Sequence, residues 1–313
     1  MLVLILLLYL LSRATWWPSN PLRLARQRAW GQTITAAARM YRSRPVLFIG
    51  IGLPIVPVSL AVAGLQRLIV GGPDLGVEQG GEAGGWLVTL VSLLTYLLMG
   101  YCIVLVIAAT ARALVEIDKG RHVDVRGAYR LARRHWAPLL GAFVVSSLVV
   151  GALTLSILLL PVAVVLGVLF AFYAQTVVLE RRSALTALRR SAALVRHRFW
   201  KVASLLAVSV AVAVAVGPLL GTLLLLTTSA AFPFINVVAG ITFAPLMPFV
   251  ALTMTYAYFD AAVGAELDAT TPAPDVAEVG AGDLAGRDAV DELCPHMPAD
   301  PGPRSGSSSA WPR

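Results

Sequence analysis

Two runs without a single charged residue, Ala137–Leu179 and Val202–Phe259, constrain this chain more than anything else in it. A helix of about 20 apolar residues crosses the hydrocarbon of a bilayer, so each run is long enough for two crossings and a tight turn. The apolar positions are continuous rather than alternating, which argues against a membrane β-barrel. Hydrophobic residues make up 58% of the chain and charged residues 13%, with a mean hydropathy of +0.78. A water-facing domain of this size needs more charge on its surface. The expected class is therefore all-α: a multi-pass transmembrane bundle of six core spans in three hairpins, each hairpin preceded by a basic interfacial helix.

The segments flanking the apolar runs set the topology. Residues 1–259 hold 22 Lys and Arg against 7 Asp and Glu, whereas residues 260–313 hold 3 against 10. The basic surplus lies beside the apolar runs, so it marks the cytoplasmic side and favours anionic lipid over nucleic acid as a partner. Only Lys119 and Lys201 among the 25 basic residues are lysine. With the abundance of Ala, Val, Leu and Gly, that bias is associated with GC-rich bacterial genomes, and the expected location is the bacterial inner (plasma) membrane. Cys102 lies in an apolar run and Cys294 in the tail, which offers neither a disulfide nor metal-ligand spacing.

In order, Met1–Ser12 is apolar but short. It lacks the basic start and small-residue cleavage site of a signal peptide, and reads as a truncated span or an interfacial anchor. Arg13 to Arg44 carries seven arginines and no acid. Val46–Val70 is the first expected span, kinked at Pro54 and Pro57, with Arg67 near its outer end. Gly71–Gly85 is a glycine-rich acidic loop outside, and Trp86 to about Ala111 returns inward. Arg112, Glu116, Asp118, Lys119 and Arg121 mark the inner side. Asp124 is placed to cap a second surface helix, and Ser183 a third. The outer turns are expected near Ser156–Pro161 and Thr227–Asn236. Ser209, Ala213, Gly217 and Gly221, four apart, form a small-residue packing ridge. Pro245 and Pro248 should bend the last span. The domain boundaries expected are 1–45, 46–262 and 263–313, with a disordered, acidic, cytoplasmic tail that already begins to change composition at Asp260.

Ala187-Leu188-Arg189-Arg190-Ser191 through Lys201 is the most informative of the basic segments. On a helical wheel Leu185, Leu188, Ala192, Val195 and Phe199 share a stripe, with Arg190, His197, Arg198 and Lys201 opposite and Arg189 and Arg196 flanking. Such a helix lies on an anionic surface with its arginine heads at the phosphates. Arg39–Pro45 and Arg130–Trp136 align with Ala193–Phe199: Met40, Leu131 and Leu194 fill one column, Arg42, Arg133 and Arg196 a second, and Arg44, His135 and Arg198 a third. Two readings fit this alignment. One is three repeated units, each a surface helix followed by two spans; the other is that any arginine-rich lead-in to a membrane helix looks alike. The expected headgroup contacts are Arg42, Arg133, Arg134, Arg189, Arg190, Arg196 and Arg198, with Trp136 and Trp200 as interface anchors.

Little chemistry is offered. No nucleophile–base pair, metal cluster or nucleotide-binding loop is spelled out, so neither a catalytic site, a metal nor a cofactor is expected. Tyr173, Gln175, Thr253 and Thr255 are the most polar groups at depth, suited to hydrogen bonds between helices. The segment from Ala187-Leu188-Arg189-Arg190-Ser191 through Arg196 and Phe199-Trp200-Lys201, with its uncharged hairpin ending in Tyr258-Phe259-Asp260, resembles the bacterial glycerophosphoryl diester phosphodiesterase membrane-domain family. It is similar as well to related six-span actinobacterial membrane proteins, over roughly Thr33 to Ala262. In that family the hydrolase is a separate barrel domain, for which this chain has neither the length nor the motifs. The resemblance implies a membrane architecture tied to lipid or envelope metabolism, without an active site: a platform for lipid or another membrane protein. A transporter or lipid-translocating protein is the alternative.

Overall fold

The computed structural model describes residue 24 and residues 28–70, 82–211 and 232–270, all but the last two within the first of the two units into which the chain divides, Met1–Asp268. The described residues are helical, with no strand among them. In order the helices are α1 (Trp30–Ser43), α2 (Pro45–Gly52), α3 (Ile55–Val70), α4 (Glu82–Asp118), α5 (Val125–Arg133), α6 (Trp136–Thr154), α7 (Leu160–Leu169), α8 (Tyr173–Glu180), α9 (Ala184–Arg196), α10 (Phe199–Ala211) and α11 (Phe232–Thr270).

Five stretches are long and apolar enough to cross a membrane: Pro45–Leu65, Thr89–Asp118, Trp136–Thr154, Ile157–Glu180 and Gly240–Leu267. At 1.5 Å per residue, the 19 residues of Trp136–Thr154 reach about 28 Å, close to the thickness of the hydrocarbon core. Their outer surfaces carry bare apolar side chains such as Val46, Leu94, Leu148, Leu155 and Ile157, a patchwork suited to lipid rather than water. This is a helical membrane protein. The expected fifth span starts as α10; its continuation, with Ala213, Gly217, Gly221 and the first half of the expected turn at Thr227–Asn236, lies outside the described residues, as do Met1–Ser12, Gly71–Gly81 and residues 271–313.

Prolines and small residues shape the joints. Pro54 cannot continue the helical ladder, and the first span breaks between Gly52 and Ile55. The second span runs on to Asp118, seven residues beyond the expected Ala111, and starts helical at Glu82, inside the expected loop. The outer turn of the next pair falls where expected, with a single 3-10 turn at Ile157–Leu159 between α6 and α7. In contrast, α11 continues through both Pro245 and Pro248. Pro248 has no N–H to offer the Ala244 carbonyl one turn back, and Gly52 packs against that oxygen: a Cβ on Gly52 would lie 1.8 Å from it.

The last span is the most enclosed, with 61% of its most apolar stretch buried against 22% in each of the others. One face of α11 (Ala244, Met247, Leu252, Tyr256) joins a core with α1, α2, α4, α5, α6 and α8. The other (Met254, Ala257, Tyr258, Ala261) joins a second core with Phe172, Leu194, Val195, Val202 and Leu205. Expected as the first residue of a changed, tail-like composition, Asp260 is instead buried in this central helix, which extends to Thr270.

The aligned columns of the sequence return as one repeated joint. The N–H groups of Arg44, His135 and Arg198 donate to carbonyls three residues back, on Tyr41, Ala132 and Val195, at 3.3, 3.1 and 2.9 Å. Their own carbonyls accept from Phe48, Leu139 and Val202 at 3.3, 3.0 and 3.1 Å, the first bond of the next helix. Phe48, Leu139 and Val202 are all buried. Three residues before the Met40, Leu131, Leu194 column stand Ala37, Ala128 and Ser191, each wholly buried. A basic helix thus enters an apolar one through the same pattern of backbone bonds three times.

Candidate functional site

Charged residues gather where α4 and α8 end and α5 and α9 begin. Their carboxylates are few and already engaged. Asp260, 1% exposed, accepts from the Arg28 backbone N–H (2.7 Å) at Oδ1, and from Lys201 Nζ (2.7 Å) and Arg198 Nη1 (3.2 Å) at Oδ2. Lys201 Nζ also donates to the Arg28 carbonyl. Arg198 and Lys201 stand at the positive end of the α10 dipole, so an opposing carboxylate is needed there. Gly264, one turn beyond Asp260, leaves room for the guanidinium, since a Cβ would lie 2.3 Å from Arg198 Nη2.

Glu180 closes α8 in a similar way. It accepts from Tyr258 Oη (2.8 Å), Arg182 Nε (2.6 Å) and Arg190 Nε (3.4 Å), tying α8 to α9 and α11. Glu116 faces Arg121 (3.0 Å) and Lys119 (3.8 Å), both largely exposed, so that pair contributes little to stability. Asp124 caps α5 as expected, accepting from the Gly127 N–H at 3.1 Å. Ser183 precedes α9 but makes no side-chain cap; its hydroxyl meets Thr186 Oγ1 at 2.8 Å.

The expected stripe on α9 is rotated. Ala187, Leu188, Ser191, Leu194 and Val195 are buried, while Leu185 is exposed and Ala192 half-buried. The cause is a break in the fourth span at Phe170–Phe172. Ser191 Oγ donates to the Leu169 carbonyl (2.8 Å) and accepts from the Phe172 N–H (3.0 Å), replacing the missing ladder bonds. Thr176 Oγ1 adds a bond to the Ala187 carbonyl at 3.2 Å. A wheel weighted by hydrophobicity counts Ser191 as outward, whereas backbone satisfaction turns it inward.

The residues expected at the lipid surface therefore divide. Arg190 and Arg198, set opposite the apolar stripe in the sequence, turn instead to Glu180 and Asp260, because two carboxylates at helix ends need partners. Arg42, Arg133, Arg134, Arg189 and Arg196 are exposed, and none is paired with a carboxylate among the described residues. Trp136 and Trp200 are exposed beside them, each within the first turn of an apolar helix. Ser209 is buried; Ala213, Gly217 and Gly221 fall outside the described residues.

Other polar groups are enclosed. Tyr129 Oη donates to the Ile51 carbonyl and Tyr41 Oη to the Pro245 carbonyl (2.9 Å), and burial pushes both phenols up from their ordinary range, keeping them donors. Gln175 is wholly buried, and neither end of its amide meets a partner. Thr253 and Thr255 turn back to carbonyls of their own helix, at 3.0 and 2.7 Å. No group of three metal-ligating side chains occurs among the described residues. Sequence reasoning missed Asp260 as a core residue, although it is the first charge after the 202–259 run. Comparisons with family models, curated proteins and solved structures give no match to this chain.

Proposed function

We propose that this chain is a non-catalytic protein of the bacterial plasma membrane, a platform that holds anionic lipid, or a partner membrane protein, through three basic helices at its cytoplasmic end. Six spans in three hairpins and a cytoplasmic tail belong to this reading, as does a link to lipid or envelope metabolism. The observation that carries it is the division among the arginines: five remain exposed beside two bare tryptophans, after the carboxylates nearby have been taken by other residues. Each basic residue near an anionic surface contributes about 1 kcal/mol of attraction. Replacing Arg42, Arg133, Arg134, Arg189 and Arg196 by Ala should lower the ratio of anionic to zwitterionic lipid that co-purifies, read by native mass spectrometry. An unchanged ratio sinks the reading. A reporter fused after Gly80 should be active outside the cytoplasm, and one after Arg182 inside.

A second reading, a transporter or lipid-translocating protein, draws support from the broken fourth span with Gln175 just beyond the break. Interrupted helices and unpaired polar groups at depth are features of substrate paths. Gln175 has no exposed surface, so this reading requires the helices around it to move apart. Labelling of a cysteine placed at Gln175 by a membrane-impermeant reagent would favour it.

A further inference from the structure

A second set of cations, two half-buried and one exposed, is left unused by the platform reading. Helices α4, α6 and α8 pack on one another, and Arg112, His135 and Arg181 stand at their adjoining ends. Arg112 belongs to a membrane-crossing stretch, six residues or about 9 Å short of the end of its helix at Asp118. Its Nε is buried without a hydrogen-bond partner, and no carboxylate among the described residues pairs with it. A cation at such depth is normally paired or part of a ligand path. Nδ1 of His135 is likewise buried without a partner.

Arg181 completes the set from an unfavourable backbone. It has φ 56° and ψ 38°, and is the one non-glycine residue with positive φ among the described residues. Glycine fits this helix-ending position freely, while an L-residue there is strained. The charge of Arg181 bears on Arg112, and both bear on His135. Burial and those two guanidiniums push the imidazole down from its ordinary range, with Arg134 adding to the effect and the nearby Leu131 carbonyl opposing it. Glu116, whose charge also bears on Arg112, already faces Arg121 and Lys119. Two guanidiniums and a half-buried imidazole, none in an ion pair with a carboxylate among the described residues, form a receptor for an anion with several acceptor oxygens.

We propose that Arg112, Arg181 and His135 bind a phosphate group, supplied by an anionic phospholipid headgroup or by free phosphate, at the inner ends of α4, α6 and α8. The proposal rests on the reading that this end faces an anionic leaflet, and extends it from the exposed surface charges to one half-buried cluster. Guanidinium groups such as those of Arg112 and Arg181 suit phosphate oxygens, which they can meet with paired, charge-assisted hydrogen bonds.

The test uses the full chain in detergent, with thermal unfolding followed as phosphatidylglycerol, phosphatidylcholine or inorganic phosphate is added. A ligand that binds the folded form raises the unfolding temperature with concentration. Phosphatidylglycerol should stabilise the wild type and phosphatidylcholine should not; stabilisation by inorganic phosphate as well would identify the phosphate alone as sufficient. Arg181→Gly relieves the backbone while removing the charge, so it should fold at least as well yet bind about tenfold more weakly or worse. Arg112→Gln should do the same where it folds. Arg126→Ala, an exposed arginine of α5 that belongs to neither set, should keep the saturable response. Wild-type affinity in Arg181→Gly overturns this site alone. An absence of any phosphatidylglycerol response in the wild type overturns the site and the platform reading together.

Discussion

Replacing Asp260 by Ala should unfold the charged end of the bundle more readily than any exposed substitution. The carboxylate is 2% exposed, so its loss is felt without screening by water, whereas Lys201 and Arg198 are 24% and 25% exposed and recover part of their hydration. Removing one member of a buried ion pair costs about 3–5 kcal/mol, and the exposure of the cations points to the lower half of that range. The Arg28 N–H loses its acceptor as well, adding about 1 kcal/mol or more if no water replaces it. At roughly 2–4 °C per kcal/mol for a domain of this size, the unfolding midpoint should fall by about 10 °C. Heating in detergent, with tryptophan fluorescence and monodispersity as readouts, measures this. Asp260→Asn keeps an acceptor for the Arg28 N–H and should fall between the two. Lys201→Met in the Asp260→Ala background should cost far less than it does alone, because the pair is then already broken. An Asp260→Ala midpoint within about 2 °C of wild type, on the same scale, would refute the assignment of Asp260 as the lock between α10 and α11.

Two further substitutions test packing and one tests titration. Gly52→Ala forces a Cβ to within 1.8 Å of the Ala244 carbonyl and should destabilise by about 1–3 kcal/mol or more through overpacking. Gly64→Ala meets nothing within 4 Å and should be neutral or add up to about 1 kcal/mol through helix propensity; equal midpoints for the two variants would refute the close crossing. His135 binds a proton less readily in the folded protein than in the unfolded chain, because burial and the neighbouring guanidiniums of Arg112, Arg181 and Arg134 oppose its charge. The unfolded state therefore holds more protons as pH falls through the ordinary value of 6.5, and stability should decline there while staying level above it. His135→Gln should flatten that part of the midpoint-against-pH curve; an unchanged slope would show that other groups set it.

The class, the outer turn between α6 and α7 and the break at Pro54 could all be read from the sequence. Charge-free length and proline chemistry act locally, and nothing tertiary opposes them. What could not be read depended on partners far along the chain. Asp260 looks like the start of an acidic tail until Arg198 and Lys201 are brought to it across 62 and 59 residues. Ser191 reads as polar surface until the interrupted backbone at Leu169–Phe172 needs a donor and an acceptor from outside its own helix. Arg190 and Arg198 share a composition with Arg189 and Arg196, and only the position of a carboxylate separates those that turn inward from those that stay out. Helix periodicity carries no term for either effect.

The three elbows share their backbone bonds and differ in how they handle charge. At the third, Arg198 occupies the elbow and is neutralised by Asp260, so α10 and α11 are locked. At the second, His135 takes the same place beside Arg112 and Arg181, and no carboxylate is paired with any of the three among the described residues. Had the elbows only to join a surface helix to a span, one solution to the charge problem would serve at each, since the backbone geometry is the same. A surplus of positive charge kept at one joint without a carboxylate, while another holds a buried one, raises the electrostatic energy of the folded chain by itself. An anion bound there would lower that energy and be held the more tightly for it, which is the reason the phosphate site proposed above is placed at the second elbow rather than among the exposed arginines alone.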